Sequence, residues 1–377
     1  MNVLALENGL SPHGGQEVSL LELCQNLSRR GHKIHILYRR PGELLERYRE
    51  FCKSIRRVSA YSIDRWKFKS YFDFFFSFCK GLRPKPDLIY TNQIFDSMYA
   101  GLLSRVLDVP YVCHLRLPPP ETLCTQFRIG LSNAAQMIAV SDHTRQSWVR
   151  SGAPSEKITM VYNGISLEQY SIFPAAFGHR LRFGIPQNAF VVTYAGRITR
   201  DKGLHTLLKA FGALKKNVSE SFLVIASSLD GLSEQSQQYF RFLKSEAKRL
   251  AIDESILWLN RCSEMTLLFN LSDITVLPSL WPEPFGRVLI ESMACGTPAL
   301  GSRVGGIPEV LTGEFSDFLF EPDDVPRLSG LLIQISDWRK RDPGLAERCR
   351  RHVGEKFALD RCVDSVEGIF LKAVRHR

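Results

Sequence analysis

Short apolar runs alternate with longer amphipathic stretches along the chain, and this alternation predicts an α/β fold with parallel sheets. Asn2 to Leu6 reads as a short buried strand. From Gln16 to Arg30, Leu20, Leu23, Cys24 and Leu27 recur at helical spacing, and Gly31 supplies a left-handed stop. Ile34–Tyr38, Asp87–Asn92, Pro110–Leu115, Gln136–Val140 and Lys157–Tyr162 repeat the strand pattern, with Ser141 or Asp142 placed to cap a helix through Arg150. Asn163-Gly164 marks a turn, and the less periodic Ser166–Pro186 reads as a linker. The alternation then resumes: strands at Phe190–Ala195, Phe222–Ser227, Ile256–Leu259, Ile274–Leu277, Ala299–Gly301 and Phe318–Phe320, and a helix from Leu204 to Leu214. Two Rossmann-like, doubly wound domains facing a central cleft are expected, residues 1–170 and 171–357.

Candidate chemistry lies in the loops that follow strands. Ser279 to Pro298 reads SLWPEPFGRVLIESMACGTP, and Pro282 and Pro284 exclude helix until about Phe285. The first-turn N–H groups of Phe285, Gly286, Arg287 and Val288 then form an anion site, where the helix dipole adds about half a positive charge. Gly286 lets a phosphate approach the backbone. Glu283 sits at the rim in the loop; Glu291, eight positions later, is placed to accept hydrogen bonds from vicinal ribose hydroxyls. A loop followed by an amphipathic helix with two solvated acids fits the same residues. The second loop, Gly196 to Gly203, reads GRITRDKG, and offers a diphosphate the Arg197 fork and the Lys202 point charge. By itself it reads rather as a solvated basic loop; together in one chain the two loops favour a phosphate-and-sugar pocket. Near the N-terminus, Gly14 and Gly15 open the first helix and can face a ligand at the strand end, although a Gly-Gly pair also makes a plain turn.

GRITRDKG, then EPFGRVLIE, then GGIPEV at Gly305 to Val310 resemble in order and spacing the retaining, nucleotide-sugar-dependent glycosyltransferases of the GT-B fold called family 4. The resemblance covers essentially the whole chain and is looser in the first half. It implies sugar transfer from a nucleoside diphosphate sugar, a co-substrate rather than a cofactor, to a hydroxyl with retention of configuration. Arg197 and Lys202 would stabilise the departing diphosphate, Glu283 would hold the donor sugar, and Gly196, Pro284, Phe285, Gly286, Arg287, Val288 and Glu291 would line the donor. It also implies that the Gly14-Gly15 loop closes over the diphosphate and that His114 lies beside the donor sugar. Leu115 and Arg116 follow His114 where the family often has an acid, and Arg116 with Pro118 to Pro120 could instead shape an acceptor lip. Arg261 falls in the loop where the family reads the base, but Asn260 stands where many members have glycine. A final helix, about 358–377, would return to the first domain.

Composition narrows this further. Nine cysteines without a CxxC pair suit reduced, mostly buried thiols, and the absence of Asp-x-Asp and of zinc-like histidine spacing points to a metal-independent reaction. No apolar run approaches the roughly 18 residues of a bilayer span and no signal sequence opens the chain, so the expected location is the cytoplasm, peripheral on the inner face of the cell membrane. That placement comes from residues 29–85, where sixteen Lys or Arg face five Asp or Glu, a net +11 that exceeds the +10 of the whole chain. Trp66, Phe68, Tyr71, Phe72, Phe74, Phe75, Phe76 and Phe78 are interleaved with them, as in surfaces that touch anionic membranes, while a core helix Ser70–Lys80 with solvated flanks fits the aromatics too. No nucleic-acid module appears. The acceptor would be lipid-linked or a glycan. A soluble-acceptor transferase, a nucleotide-sugar epimerase and a catalytically silent binding protein remain alternatives.

Overall fold

The computed structural model describes residues 1–377 apart from His13, Pro174, Ala175, His376 and Arg377. The chain divides into two compact units, Met1–Gly164 with Leu359–Arg377, and Ile165–Ala358. The break falls at Gly164 rather than near residue 170, because Ile165 N–H donates to Phe357 O at 3.0 Å and bridges to Ala358, tying the start of the linker to the second unit.

The first unit holds a seven-stranded parallel sheet, ordered β3-β2-β1-β4-β5-β6-β7. Its strands are β1 (Asn2–Gly9), β2 (Lys33–Arg40), β3 (Ser54–Arg57), β4 (Leu88–Thr91), β5 (Tyr111–Leu115), β6 (Gln136–Ala139) and β7 (Ile158–Met160). Parallel strands covered on both faces must be apolar on both, and β1 shows it: Val3 and Ala5 enter one core layer, Leu4 and Leu6 the other. The first layer includes Leu20, Leu23, Cys24 and Leu27 of the helix Gly15–Arg29. It also takes Val363, Val366 and Phe370 of the terminal helix Leu359–Arg375, which Arg30 fastens through Asp364 and Glu367 at 2.6 and 2.7 Å. The opposite layer is built on Phe74, Tyr99, Leu103 and Trp148.

The second unit repeats the plan with six parallel strands, ordered β10-β9-β8-β11-β12-β13. These are β8 (Phe190–Ala195), β9 (Ser221–Ser227), β10 (Ile256–Asn260), β11 (Ile274–Leu277), β12 (Ala299–Ser302) and β13 (Leu319–Phe320). In each sheet the winding direction reverses once, between β1 and β4 and between β8 and β11. Loops leaving the carboxyl ends of the strands at such a reversal splay apart and leave a crevice. Both units are therefore Rossmann-like.

One stretch departs from the expected core helix. The helix Phe68–Gly81 buries Phe74 and packs Phe78 on Tyr99 at 5.8 Å, whereas Trp66, Phe68, Phe75 and Phe76 are 82, 79, 60 and 63% exposed. With this many rings on one short helix, only one side can reach the sheet. Among the thiols, Cys24, Cys113, Cys295 and Cys349 are buried, but Cys79 and Cys124 are exposed; all nine are free.

Candidate functional site

The reversal in the second unit brings the two motif loops together. After β8 the chain runs through Gly196–Thr199 and a single tight turn, Arg200–Lys202, then enters the helix Leu204–Asn217 at Gly203, φ +67°. A Cβ there would stand 1.9 Å from Pro278 O, so only glycine lets this loop lie against the end of β11. Leu280 N–H donates to Asp201 O at 2.7 Å. A third loop closes the set: Gly306 N–H donates to Glu283 O at 2.7 Å, and a Cβ on Gly305 would lie 2.1 Å from the same oxygen.

Within this backbone frame Lys202 Nζ donates to Glu283 Oε1, which also accepts the Ser279 hydroxyl at 2.7 Å. Lys202 and Glu283 are 8 and 9% exposed. Such a pair offsets the desolvation of each charge. It leaves further donors on the ammonium and the second carboxylate oxygen, which has no hydrogen bond among the described residues, for a ligand.

The helix after Glu283 starts later than its sequence suggests. Gly286, φ +94°, is its cap and the helix spans Arg287–Ala294, because a left-handed residue cannot lie inside it. An anion at this terminus would thus meet the turn beginning at Arg287, not Phe285. Phe285 is an anchor: it is buried and meets Phe357 edge-on at 5.6 Å. Pro284 precedes it, and Val288 lies in the first turn. Glu291 Oε1 accepts Arg287 Nε at 2.6 Å, a pairing one turn apart that holds the carboxylate beside the helix start.

The remaining candidates are placed as follows. Gly196 and Arg197 are exposed, and the Arg197 side chain forms no ion pair or hydrogen bond among the described residues; Tyr194 O–H donates to its carbonyl at 2.7 Å. Arg261 is exposed just past β10 at φ +43°, with its N–H on Ser227 O. In the first unit, Gly14 caps the first helix and Gly15 begins it, both exposed, and Gly14 N–H donates to Glu17 Oε2 at 3.1 Å. His114 ends β5 and is 1% exposed; Nδ1 meets the Tyr90 hydroxyl at 2.5 Å and Nε2 has no partner among the described residues. Burial, with the nearby Arg116 charge, holds its pKa well below the usual histidine range, so the ring is neutral. Arg116 forms no exposed lip: it is buried, and its guanidinium donates to Asn92 Oδ1 at 3.0 Å and Asn163 Oδ1 at 2.5 Å. Ser279 and the Asp201 carbonyl carry structural weight that the sequence did not single out. Among the described residues no group of three or more His, Cys, Asp or Glu is placed to hold a metal ion, and no helix is long and apolar enough to cross a membrane.

The family model described as glycosyl transferases group 1 matches residues 179–352, and that described as glycosyltransferase family 4 matches residues 13–169. The chain is 24% identical over 375 residues to the N-acetyl-alpha-D-glucosaminyl L-malate synthase of Bacillus anthracis, covering 96% of this chain and 95% of that protein. It is also 24% identical over 389 residues to the D-inositol 3-phosphate glycosyltransferase 1 of Catenulispora acidiphila, covering 96% and 91%. Anabaena HepE, crystallised in complex with UDP and glucose, superposes with a TM-score of 0.84 at 21% identity over 98% of this chain and 99% of that one. Motifs, paired parallel sheets and family matches agree: the chain belongs to the family-4-type glycosyltransferases and has the GT-B fold.

Proposed function

We propose that the protein transfers a sugar from a nucleoside diphosphate, with retention of anomeric configuration, to a hydroxyl of a lipid-linked or glycan acceptor at an anionic membrane surface. The observation that carries this reading is the buried Lys202–Glu283–Ser279 cluster between the ends of β8 and β11, next to a helix start. Lys202, the exposed Arg197 guanidinium and the helix N-terminus compensate the charge that grows on the departing diphosphate, an effect worth about 3 kcal/mol for a single well-placed donor in a dry site. These cations take the role a metal would fill, and the nucleotide sugar is a co-substrate with no bound cofactor. Glu283 accepts hydroxyls of the donor sugar through its second oxygen, Glu291 those of the ribose, and Arg261 sits at the base end. His114, being neutral, contributes a hydrogen bond rather than a charge. The acceptor proton passes to a departing phosphate oxygen, so no protein base is assigned.

The exposed rings of Trp66, Phe68, Phe75 and Phe76, in a segment of net charge +11, support the membrane. A soluble acceptor is the second reading, favoured by the names of two relatives, which refer to L-malate and D-inositol 3-phosphate. Sedimentation with anionic vesicles, with and without added salt, separates the two. The reaction itself is tested first by calorimetric titration, without metal, with UDP, GDP and ADP, repeated on Glu291→Ala. One nucleotide should bind saturably and be lost in the variant. A folded sample that binds none would overturn the donor site and leave a silent, partner-binding protein. Proton NMR of the product reads the anomeric configuration, and inversion would reject the retaining mechanism.

A further inference from the structure

In the first unit polar side chains line the crevice itself: Asn8, Arg39 and Asp96 face a cavity of about 670 Å³ at the carboxyl ends of β1, β2 and β4. In the second unit a polar cluster stands instead at the start of the helix Leu204–Asn217, directly after Lys202. Nothing in the donor chemistry above uses it.

The tight turn that carries Lys202 ends at Gly203, and Gly203 is also the cap of the helix. Turn and helix share this residue, so no flexible link separates Lys202 from the first helical turn. The first N–H groups of a helix have no partner within it. Here the His205 N–H donates to the Tyr239 hydroxyl at 3.2 Å. Tyr239 comes from the neighbouring helix Glu234–Arg249 and is 6% exposed. The same hydroxyl lies 2.8 Å from His205 Nδ1. Its oxygen already accepts the backbone N–H and its single hydrogen is available to Nδ1, which leaves the proton of the neutral ring on Nε2. Nε2 faces Asp323 Oδ1 at 3.8 Å, so this tautomer turns a proton toward the carboxylate where the other would turn a lone pair. Asp323 is held in turn by the Thr206 hydroxyl at 2.5 Å.

We infer that Tyr239 is a positioning residue of the donor site: through His205 it holds the first turn of the helix, and with it the backbone that presents Lys202 to the diphosphate. The inference rests on the transferase reading. A misplacement of about 1 Å in such a site can cost about a hundredfold in rate, so a clamp one turn away from Lys202 matters. The bonding pattern requires a neutral ring. Protonation puts a hydrogen on Nδ1, and the Tyr239 hydroxyl then has no acceptor there. The charges that face the ring are Arg200 in the turn, Lys209 on the same helix, Glu246 on the helix of Tyr239, and Asp323 after β13. Burial outweighs the two acids and holds the imidazole below its usual range, so the clamp is complete at neutral pH and opens only in acid.

The test is calorimetric titration of the full chain with UDP, GDP and ADP, from pH 7.5 down to pH 5, on wild type, Tyr239→Phe and His205→Gln. Phenylalanine keeps the ring stacked on Phe242 and removes only the hydroxyl. At pH 7.5 Tyr239→Phe should bind the nucleotide about fivefold more weakly than wild type, as for one lost hydrogen bond. By pH 5 that ratio should have shrunk at least twofold, because the protonated wild type has lost the same bond; the ratio cancels the ionisation of the nucleotide itself. A residue that only supported the fold would lower the urea midpoint and leave both the affinity of the folded protein and this pH dependence unmoved. His205→Gln, which accepts the hydroxyl through its amide oxygen and cannot titrate, should bind more tightly than Tyr239→Phe and keep that margin at pH 5. Equal affinities of wild type and Tyr239→Phe at pH 7.5, or a gap that does not change with pH, would overturn the inference while the donor site stands. A folded wild type that binds no nucleotide would remove the donor reading, and the inference with it.

Discussion

The crevice in the second unit is fixed by backbone, the one in the first by side chains. Around Glu283, three loops touch main chain to main chain: Leu280 on Asp201, Gly306 on Glu283, Gly203 under Pro278. Around Asp96 the contacts run through the Asn8, Asn92 and Arg39 side chains. A backbone-locked site tolerates no added atom but holds its charges rigidly, which suits a diphosphate common to every donor. A side-chain-lined site can be altered residue by residue without disturbing the sheet.

The sharpest way to break this contrast is to add one carbon. Gly203→Ala would force its Cβ against Pro278 O, so we expect destabilisation of at least about 4 kcal/mol, at the extreme of single substitutions, together with loss of nucleotide binding. Gly330→Ala, in the helix Val325–Ile335 with no atom near the added carbon, should instead stabilise by about 0.5–1 kcal/mol. Equal urea midpoints for the two variants would show that the loops are not locked.

Second in size is the buried pair. Lys202→Met strands the Glu283 carboxylate and should cost about 3–4 kcal/mol. The double variant Lys202→Met with Glu283→Leu should recover most of that stability while transfer stays undetectable, because well-packed apolar residues replace a buried ion pair at little cost. A double variant as unstable as the single would mean that the frame, not the charge balance, depends on Lys202.

These residues also show how far the sequence could be read. Strong apolar strands such as Phe190–Ala195 and Ile274–Leu277 were legible because their burial on both faces leaves a continuous hydrophobic run. The edge strand Ser54–Arg57, sequence SIRR, was not, since an edge can be basic. Arg197, Lys202, Glu283 and Glu291 stood out through their glycine and proline settings. That Lys202 and Glu283 bond to each other could not be read, being 81 residues apart and dependent on the order of β8 and β11. The first-unit cavity was invisible for the same reason: Asn8, Arg39 and Asp96 belong to no motif and meet only through strand order.

Third, the side-chain site should carry a pH signature of its own. Folded Glu7 keeps its proton to about pH 7, whereas an ordinary glutamate releases it near 4.5. The folded chain binds more protons in that window, so the Glu7 contribution is fully present below pH 4.5 and lost as pH rises through 7, by about 3 kcal/mol. Buried neutral imidazoles such as His114 act in the opposite sense at low pH. The quantity to read is therefore the stability difference between wild type and Glu7→Gln at pH 5 and pH 8. It should move against the wild type by about 2.5 kcal/mol, since part of the effect is already lost at pH 5; a difference independent of pH would mean that Glu7 is ionised throughout.

The smallest expected change in stability comes from the outer face of the same unit, where the aromatic rings point away from the core. Because Trp66, Phe75 and Phe76 are mostly exposed, replacing all three by serine should leave urea stability within about 0.5 kcal/mol. If that face meets lipid, sedimentation with phosphatidylserine vesicles should fall at least tenfold, since each ring removed takes apolar area out of the interface. The basic residues that remain should make what binding survives more sensitive to salt, as charge attraction decays within a Debye length. Nucleotide titration of the same variant should be unchanged, because the backbone-locked site lies in the other unit. Vesicle binding that persists undiminished would take the rings out of the membrane reading and leave the basic residues as what meets the lipid, whereas no vesicle binding by the wild type would make the soluble acceptor the better account.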